Sequence, residues 1–473
     1  MSFYHQAKRL PERFRLVLGS FLQKPGLPFA DVLPAERIQT VLDEEGVSFA
    51  EGENDAYTPP VTLWAFLSQV LFKEEQRSCT AAVARVVVLL VALGRKPCSS
   101  NTGAYCRARA KLSERAIERL TREVAFGCEQ QVPQHWLWHG RHVQLVDGTT
   151  VSMPDTPENQ AAYPQSPAQK EGLGFPVARM VVLLSLATAM LTGMAMGPYQ
   201  GKETGELALL RELLDQFQEG DILLADRHYC TYFMIALLLE SGVDFVVRLH
   251  QRRTADFRRG KPLGKGDHLA TWTRPVRPDW MDQATYDRMP ESIEVREVFV
   301  HVDQPGFRTE SLVVVSSLTN PKEYPQEDLA ELYRRRWLAE LDIRAIKITL
   351  GMDILRCLSP EMVRKEVWTC LLAYNLIRQT MLDAAKRSGL SPRQLSFSAA
   401  VETIAASWMV VVVDESLTVR LVEIELTHLA RHRVGNRPNR VEPRAIKRRP
   451  KEHRLLTKPR AQARAELIAG PST

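Results

Sequence analysis

Between residues 142 and 250 the chain alternates short apolar runs, each closed by a polar turn, with short amphipathic segments. This alternation limits the possible folds more than any other feature. "HVQLVDGTTV" (142–151) reads as a strand running into a turn. "MVVLLSLATAMLTGMAMG" (180–197) is near the lower length limit for a membrane-crossing helix. It carries Ser185, Thr188, Thr192 and Gly193, follows Arg179 directly, and has no second candidate span beside it. Two buried strands joined by a tight turn near Thr188–Leu191 fit it better. "GELALLRELLDQF" (205–217) predicts an amphipathic helix, "DILLADRHYC" (221–230) a strand ending in polar residues, "TYFMIALLLESG" a helix and "VDFVVRLH" (243–250) a strand. The order β-β-β-α-β-α-β predicts an α/β domain with a mixed sheet flanked by helices.

The flanks have different textures. Residues 1–135 read as helical, with "VTLWAFLSQVLF" (61–72), "TAAVARVVVLLVAL" (80–93) and "SERAIERLTREVAFGCEQQ" (113–131) as helix-length segments. Residues 251–312 are charged and rich in Pro, Gly and Trp, with strand-like alternation in "SIEVREVFVHV" (292–302), and predict a β-rich insertion between residues 136–250 and 313–430 of the core. A second long helix is expected at 361–387. Residues 431–473 hold 13 Lys+Arg against 3 Asp+Glu, which leaves 49 basic and 53 acidic residues in the rest of a chain of net charge +6. This tail, with Lys447, Arg448 and Arg449 at its centre, is too polar to bury a core and is expected to be extended. Its one-signed charge suits a phosphate backbone better than a merely solubilising role.

Several function classes are set aside. The seven cysteines are odd in number, dispersed and without CxxC, which points to reduced thiols in a cytoplasmic setting rather than a zinc or disulfide framework. The N-terminus shows no clean apolar signal core. "QGKETGE" (200–206) mimics a phosphate-binding loop, but it lacks the glycine five residues earlier, and Glu203 stands where Ser or Thr is needed, so ATP is not expected. His135 and His139 in "HWLWH" lack the glutamate of a zinc-protease helix.

The candidate chemistry lies in three carboxylates. Asp147 and Asp226 each end an apolar run, in "LVDGTT" and "LLADRHY", where ligand sites of α/β sheets gather. The third is in "LYRRRWLAELDIRAIK" (332–347). There Tyr333, Arg336, Glu340 and Lys347 take the spacing of a buried stripe; on one straight helix they share a wedge roughly 60° wide at about 100° per residue. An ordinary ion-paired surface helix is the competing reading, although Arg before Glu is the weaker order for such a pair. Together the three carboxylates suit hard divalent cations. In "NTGAYCRARAKL", Tyr105, Arg107, Arg109 and Lys111 suggest helix–turn–helix-like DNA contact, against the alternative of a solvated basic face.

"LVDGTTV", "LLADRHYC" and the Y-x2-R-x3-E-x6-K spacing resemble the DDE transposases of the IS-four group of prokaryotic insertion sequences. The resemblance spans about residues 60–450. It implies an RNase H-like catalytic core with the first Asp on strand one, the second on strand four, and the Glu on a helix after a β-rich insertion. The 114-residue gap from Asp226 to Glu340 leaves room for that insertion. It also implies Mg²⁺, with Mn²⁺ able to substitute, at Asp147, Asp226 and Glu340, where two ions about 4 Å apart activate the attacking oxygen and stabilise the leaving one. Double-stranded DNA is the implied partner, contacted by Tyr333, Arg336, Lys347, Arg227, the 105–111 segment and the tail, with a dimer in the synaptic complex. Relatives that form a DNA hairpin hold a flipped base on an aromatic of the insertion, for which Trp272 and Trp280 are the candidates. The alternatives are an inactive DNA-binding descendant and a metal-dependent nuclease on the same fold.

Overall fold

A computed structural model describes residues 35–50, 55–72, 74–92, 96–301, 311–413, 415–435 and 455–469. One mixed sheet of nine strands organises it, in the order β3-β2-β1-β4-β5-β9-β8-β7-β6. The strands are β1 Val143–Ser152, β2 Val177–Ser185, β3 Leu191–Pro198, β4 Ile222–Ala225, β5 Asp244–Arg248, β6 Lys261–Gly264, β7 Asp267–Thr273, β8 Ser292–His301 and β9 Ser311–Ser316. The first five form the RNase H-like core: β1 pairs β4, and β4 pairs β5, in parallel, while β2 and β3 run antiparallel. The apolar 180–197 stretch is two strands, as its polar residues require, and the turn between them uses Ala189 at φ 64°. No helix among the described residues is long and apolar enough to cross a membrane.

The 251–312 insertion extends the same sheet rather than standing apart. Ser316 of β9 pairs with both Val246 of β5 and Arg296 of β8, so the hydrogen-bond ladder crosses from core to insertion without a gap. Side-chain alternation then gives the sheet two apolar faces. Leu145, Leu224 and Val246 face the N-terminal helices and the long Pro360–Ser388 helix. Val146, Ala225 and Val247 face the Glu206–Arg211 and Tyr232–Glu240 helices. The 205–217 segment is shorter in helix than its pattern suggests, ending in a 3₁₀ turn at Leu214–Gln216.

The Pro360–Ser388 helix starts with proline at its first position and stops at Gly389, whose φ of 63° only glycine adopts cheaply. It is buried on almost every side between the sheet and the Pro59–Leu71 and Glu114–Glu129 helices. The tail departs from expectation: Arg460–Ala469 is a helix, not extended chain. Lys447, Arg448 and Arg449 lie outside the described residues.

Candidate active site

The parallel pairing of β1 and β4 runs from Val143↔Ile222 to Leu145↔Leu224 and stops there. Two residues further on come Asp147 and Asp226, on the same face as Leu145 and Leu224 because side chains alternate. Asp147 is not at the end of its strand, since β1 continues against β2 as far as Ser152↔Val177. It sits instead at the fork where β1 leaves β4. Asp226 follows the last residue of β4 and caps the 3₁₀ turn Arg227–Tyr229, accepting a hydrogen bond from the His228 N–H at 2.7 Å.

Glu340 is carried by the Trp337–Arg344 helix, which packs on β1. Residues 332–347 are not the single straight helix that their spacing predicts. The Gln326–Arg334 helix ends in a tight turn, with Arg336 N–H bonding to Tyr333 C=O and Ala339 N–H to Arg336 C=O, three residues back in each case. Ala345–Thr349 then forms a wide π turn. Tight and wide turns rotate successive side chains by different angles, so the wedge is assembled from three pieces. Tyr333 is buried beneath it, with its hydroxyl pushed up to about 12 mainly by burial. Arg336 Nη2 donates to Glu340 Oε1 at 2.9 Å and its Nη1 lies 3.7 Å from Asp147 Oδ2. Lys347 Nζ donates to the Thr150 carbonyl at 2.7 Å, tying the π turn to β1.

Burial pushes the Asp147 carboxyl up to about 6; Arg336 and the Gly148 N–H oppose that rise, while Asp226 and Glu340 add repulsion. The three carboxylates therefore share one field. Among the described residues, no three His, Cys, Asp or Glu side chains stand close enough as posed to hold one ion. The guanidinium of Arg336, between Asp147 and Glu340, takes up the space and charge that a cation would. The donor set nonetheless fits a hard divalent cation: carboxylate oxygens only, with negative charge in excess.

Within the 105–111 segment, Tyr105 and Arg109 turn into the protein and away from any exposed DNA-contact face. Tyr105 is fully buried, and its hydroxyl donates to Gln69 Oε1. Arg109 also donates to Gln69 Oε1, at 3.1 Å, and lies over the Phe66 ring. The Tyr105 hydroxyl and Arg109 Nη1 are thus engaged inside the protein, whereas Arg109 Nε has no partner. Arg107 and Lys111 remain exposed, as does Arg227 beside Asp226. Of the two insertion tryptophans, Trp272 is buried with its indole N–H on Glu297 at 3.0 Å, and Trp280 is half-buried against Phe233. His139 pairs with Asp328 at 2.8 Å.

Two carboxylates near the site escaped the sequence. Asp342, buried two residues after Glu340, pairs with Arg378 at 2.8 Å and Arg393 at 2.9 Å and so pins the Glu-bearing helix. Glu206 accepts a hydrogen bond from Tyr229 at 3.1 Å and lies under Gly148, where an added Cβ would stand 2.3 Å from its carboxyl carbon. The glycine of "DGT" thus leaves room for that carboxylate. The exclusion of "QGKETGE" as a phosphate loop left the last residue of that stretch, Glu206, without a role.

A fork between parallel strands with a carboxylate on each arm, and a third on a helix beyond inserted strands, is the arrangement that the sequence resemblance implies for a DDE-type core. Residues 138–376 match the Transposase DDE domain family, and the chain belongs to that family: it is a transposase of the IS4 type. It is 28% identical over 437 residues to the transposase InsG for insertion sequence element IS4 of Escherichia coli K12, covering 91% of this chain and 93% of that one. A transposase for insertion sequence element IS421 of Escherichia coli is 37% identical over 75 residues, covering 15% and 20% of the two chains. Among solved structures, a piggyBac transposase synaptic complex with hairpin DNA aligns over 89% of this chain and 86% of that chain at a TM-score of 0.43 and 9% identity.

Proposed function

We propose that this transposase binds the ends of its own insertion sequence, cleaves them and joins the freed 3′-hydroxyls to target DNA, with Asp147, Asp226 and Glu340 as its catalytic carboxylates. One observation supports the reading: Arg336 lies between Asp147 and Glu340, and both Asp226 and Glu340 act electrostatically on Asp147 beside the β1–β4 fork. Divalent cations, Mg²⁺ above all, held by these carboxylates supply Lewis-acid activation of the attacking oxygen and charge stabilisation at the leaving 3′-oxygen. Arg336 supplies positive charge beside the scissile phosphate. Exposed Arg227 at the mouth of the fork, and Lys347 once it leaves Thr150, are placed to contact flanking phosphates. Exposed Arg107 and Lys111, with the basic tail that includes Lys447, Arg448 and Arg449, add sequence-independent affinity. Two copies act together in the synaptic complex, in the cytoplasm where the DNA lies.

The test replaces each carboxylate in turn with alanine. D147A, D226A and E340A should each abolish nicking of end DNA while leaving binding to that DNA within a few-fold. A variant of the three that still nicks at the normal rate would remove that residue from the mechanism.

A further inference from the structure

A cavity of about 240 Å³ with a charged rim lies away from the fork, where the N-terminal helices meet the segment that follows the π turn. Its charged lining is Arg77, Arg109, Arg356 and Glu366, with Cys79 and Cys357 on the wall and Phe66 at its apolar side. Three guanidiniums therefore face one carboxylate.

That carboxylate is already engaged: Glu366 accepts from the backbone N–H groups of Arg356 and Cys357, with distances of 2.9–3.1 Å. Gln69 is used up as well. Its oxygen takes Tyr105 and Arg109, and its amide nitrogen donates to the Arg77 carbonyl at 2.9 Å. Two donors of the lining residues are left over, both closed to solvent as the side chains stand. Arg77, whose side chain is only 10% exposed, spends Nη1 on the Gly351 carbonyl at 2.8 Å, while Nη2 has no hydrogen-bond partner and Glu366 stays 3.9 Å away. Arg109 Nε, also buried, has no partner either. Buried guanidinium N–H groups without hydrogen-bond acceptors are costly.

We propose that this cavity binds a phosphate-type oxyanion, held by Arg77, Arg109 and Arg356. A tetrahedral oxyanion accepts several N–H bonds at once and neutralises the excess positive charge, and arginine is the side chain suited to that geometry. The cavity has room for it, since each water needs only about 30 Å³. The position also makes sense for a DNA enzyme. The segment holding the site runs along the far end of β1, where Ser152 N–H bonds to the Asp353 carbonyl, and continues directly from the turn that carries Lys347. The anion is thus either a free phosphate or a backbone phosphate of DNA lying beyond the carboxylate fork. On either source, Arg109 of "CRARAK" serves an anion from inside the protein, not from an exposed DNA-reading face.

Half-buried Cys79 on the wall supplies the probe. The full chain, kept reduced at pH 7.5, is treated with N-ethylmaleimide, and Cys79 labelling is followed by peptide mass spectrometry with rising sodium phosphate or with chloride of matched ionic strength. Phosphate, but not chloride, should slow Cys79 labelling several-fold and saturably. R77K and R109K keep the charge but remove a lone N–H, and each should raise the phosphate concentration required by about tenfold. Their melting temperatures in chloride identify any variant that fails to fold, and the other variant then decides with the wild type. Duplex DNA in place of phosphate separates the sources: protection by DNA, weakened in the variants, identifies a backbone phosphate, and none identifies a free anion. Failure of phosphate to protect the wild type, or equal protection in folded variants, overturns the proposal.

Discussion

Arg336 links Glu340 to Asp147: its Nη2 donates to Glu340 Oε1 at 2.9 Å and its Nη1 lies 3.7 Å from Asp147 Oδ2. A cation binding these carboxylates has to displace this contact. Substituting Arg336 by Gln removes the competing charge, so Mn²⁺ binding measured without DNA should tighten several-fold, while cleavage of end DNA falls. The opposite result, weaker Mn²⁺ binding in R336Q, would show that Arg336 orients Glu340 for the metal instead of competing with it.

Asp147 gives a pH signature. Its folded-state pKa of about 6 lies above the ordinary carboxyl value of 3.8, so ionising it in the folded protein costs free energy. The sign follows from linkage: below the unfolded value both states are protonated, and as pH rises to the folded value stability is progressively lost. D147N, which stays neutral, should melt like the wild type near pH 4 and become more stable as pH rises, levelling off above about 6 with a gain of roughly 3 kcal/mol in metal-free buffer. Melting curves across this range check it, and a gain independent of pH would assign the effect to something other than the charge. Over the same range wild-type Mn²⁺ affinity should drop as pH is lowered, because the cation competes with the proton.

The sequence made parts of this site legible for a physical reason. Tyr333, Arg336 and Glu340 stood out because polar side chains occupied the spacing of a buried stripe; Tyr333 is buried, and Arg336 bridges the partly exposed Glu340 to Asp147. The break at Arg335–Arg336 and the π turn were hidden, because local propensity favours one helix and only packing against β1 divides it. The strands were readable from apolar runs, but the position of Asp147 at a fork depends on β4 ending early beside it, which no property of β1 encodes. Tyr105 and Arg109 were misplaced because a basic, aromatic helix looks the same whether its polar tips meet DNA or Gln69. The partners Asp342, buried, and Glu206, half-buried, left no local signal at all, since each is defined by contacts distant in sequence.

Asp342 should matter more to stability than to the chemistry itself. It is the shared carboxylate of two nearly buried arginines, Arg378 and Arg393. D342N keeps the shape and leaves both positive charges without their counter-ion, which costs about 3–5 kcal/mol for a buried pair. A fall in melting temperature on the order of 10 °C is expected. The Trp337–Arg344 helix loses its anchor in the same change, so cleavage should fall even at temperatures where D342N is folded. A variant as stable as the wild type would show that water reaches this cluster and screens it.

Gly148 and Glu206 offer a paired test of the floor beneath Asp147. A Cβ at Gly148 would meet the Glu206 carboxylate at 2.3–2.6 Å. That group is the far end of a flexible side chain and can swing away, so G148A should not unfold the protein. Moving it breaks the Tyr229 hydrogen bond, at a cost of about 1–2 kcal/mol, and shifts the strand segment next to Asp147. Cleavage should therefore fall further than stability does. In an E206A background the obstacle is gone, and adding G148A should change stability and cleavage little relative to E206A alone. Double-mutant coupling near zero, with G148A equally harmful in both backgrounds, would mean that the glycine is needed for backbone freedom or for DNA approach and not for Glu206.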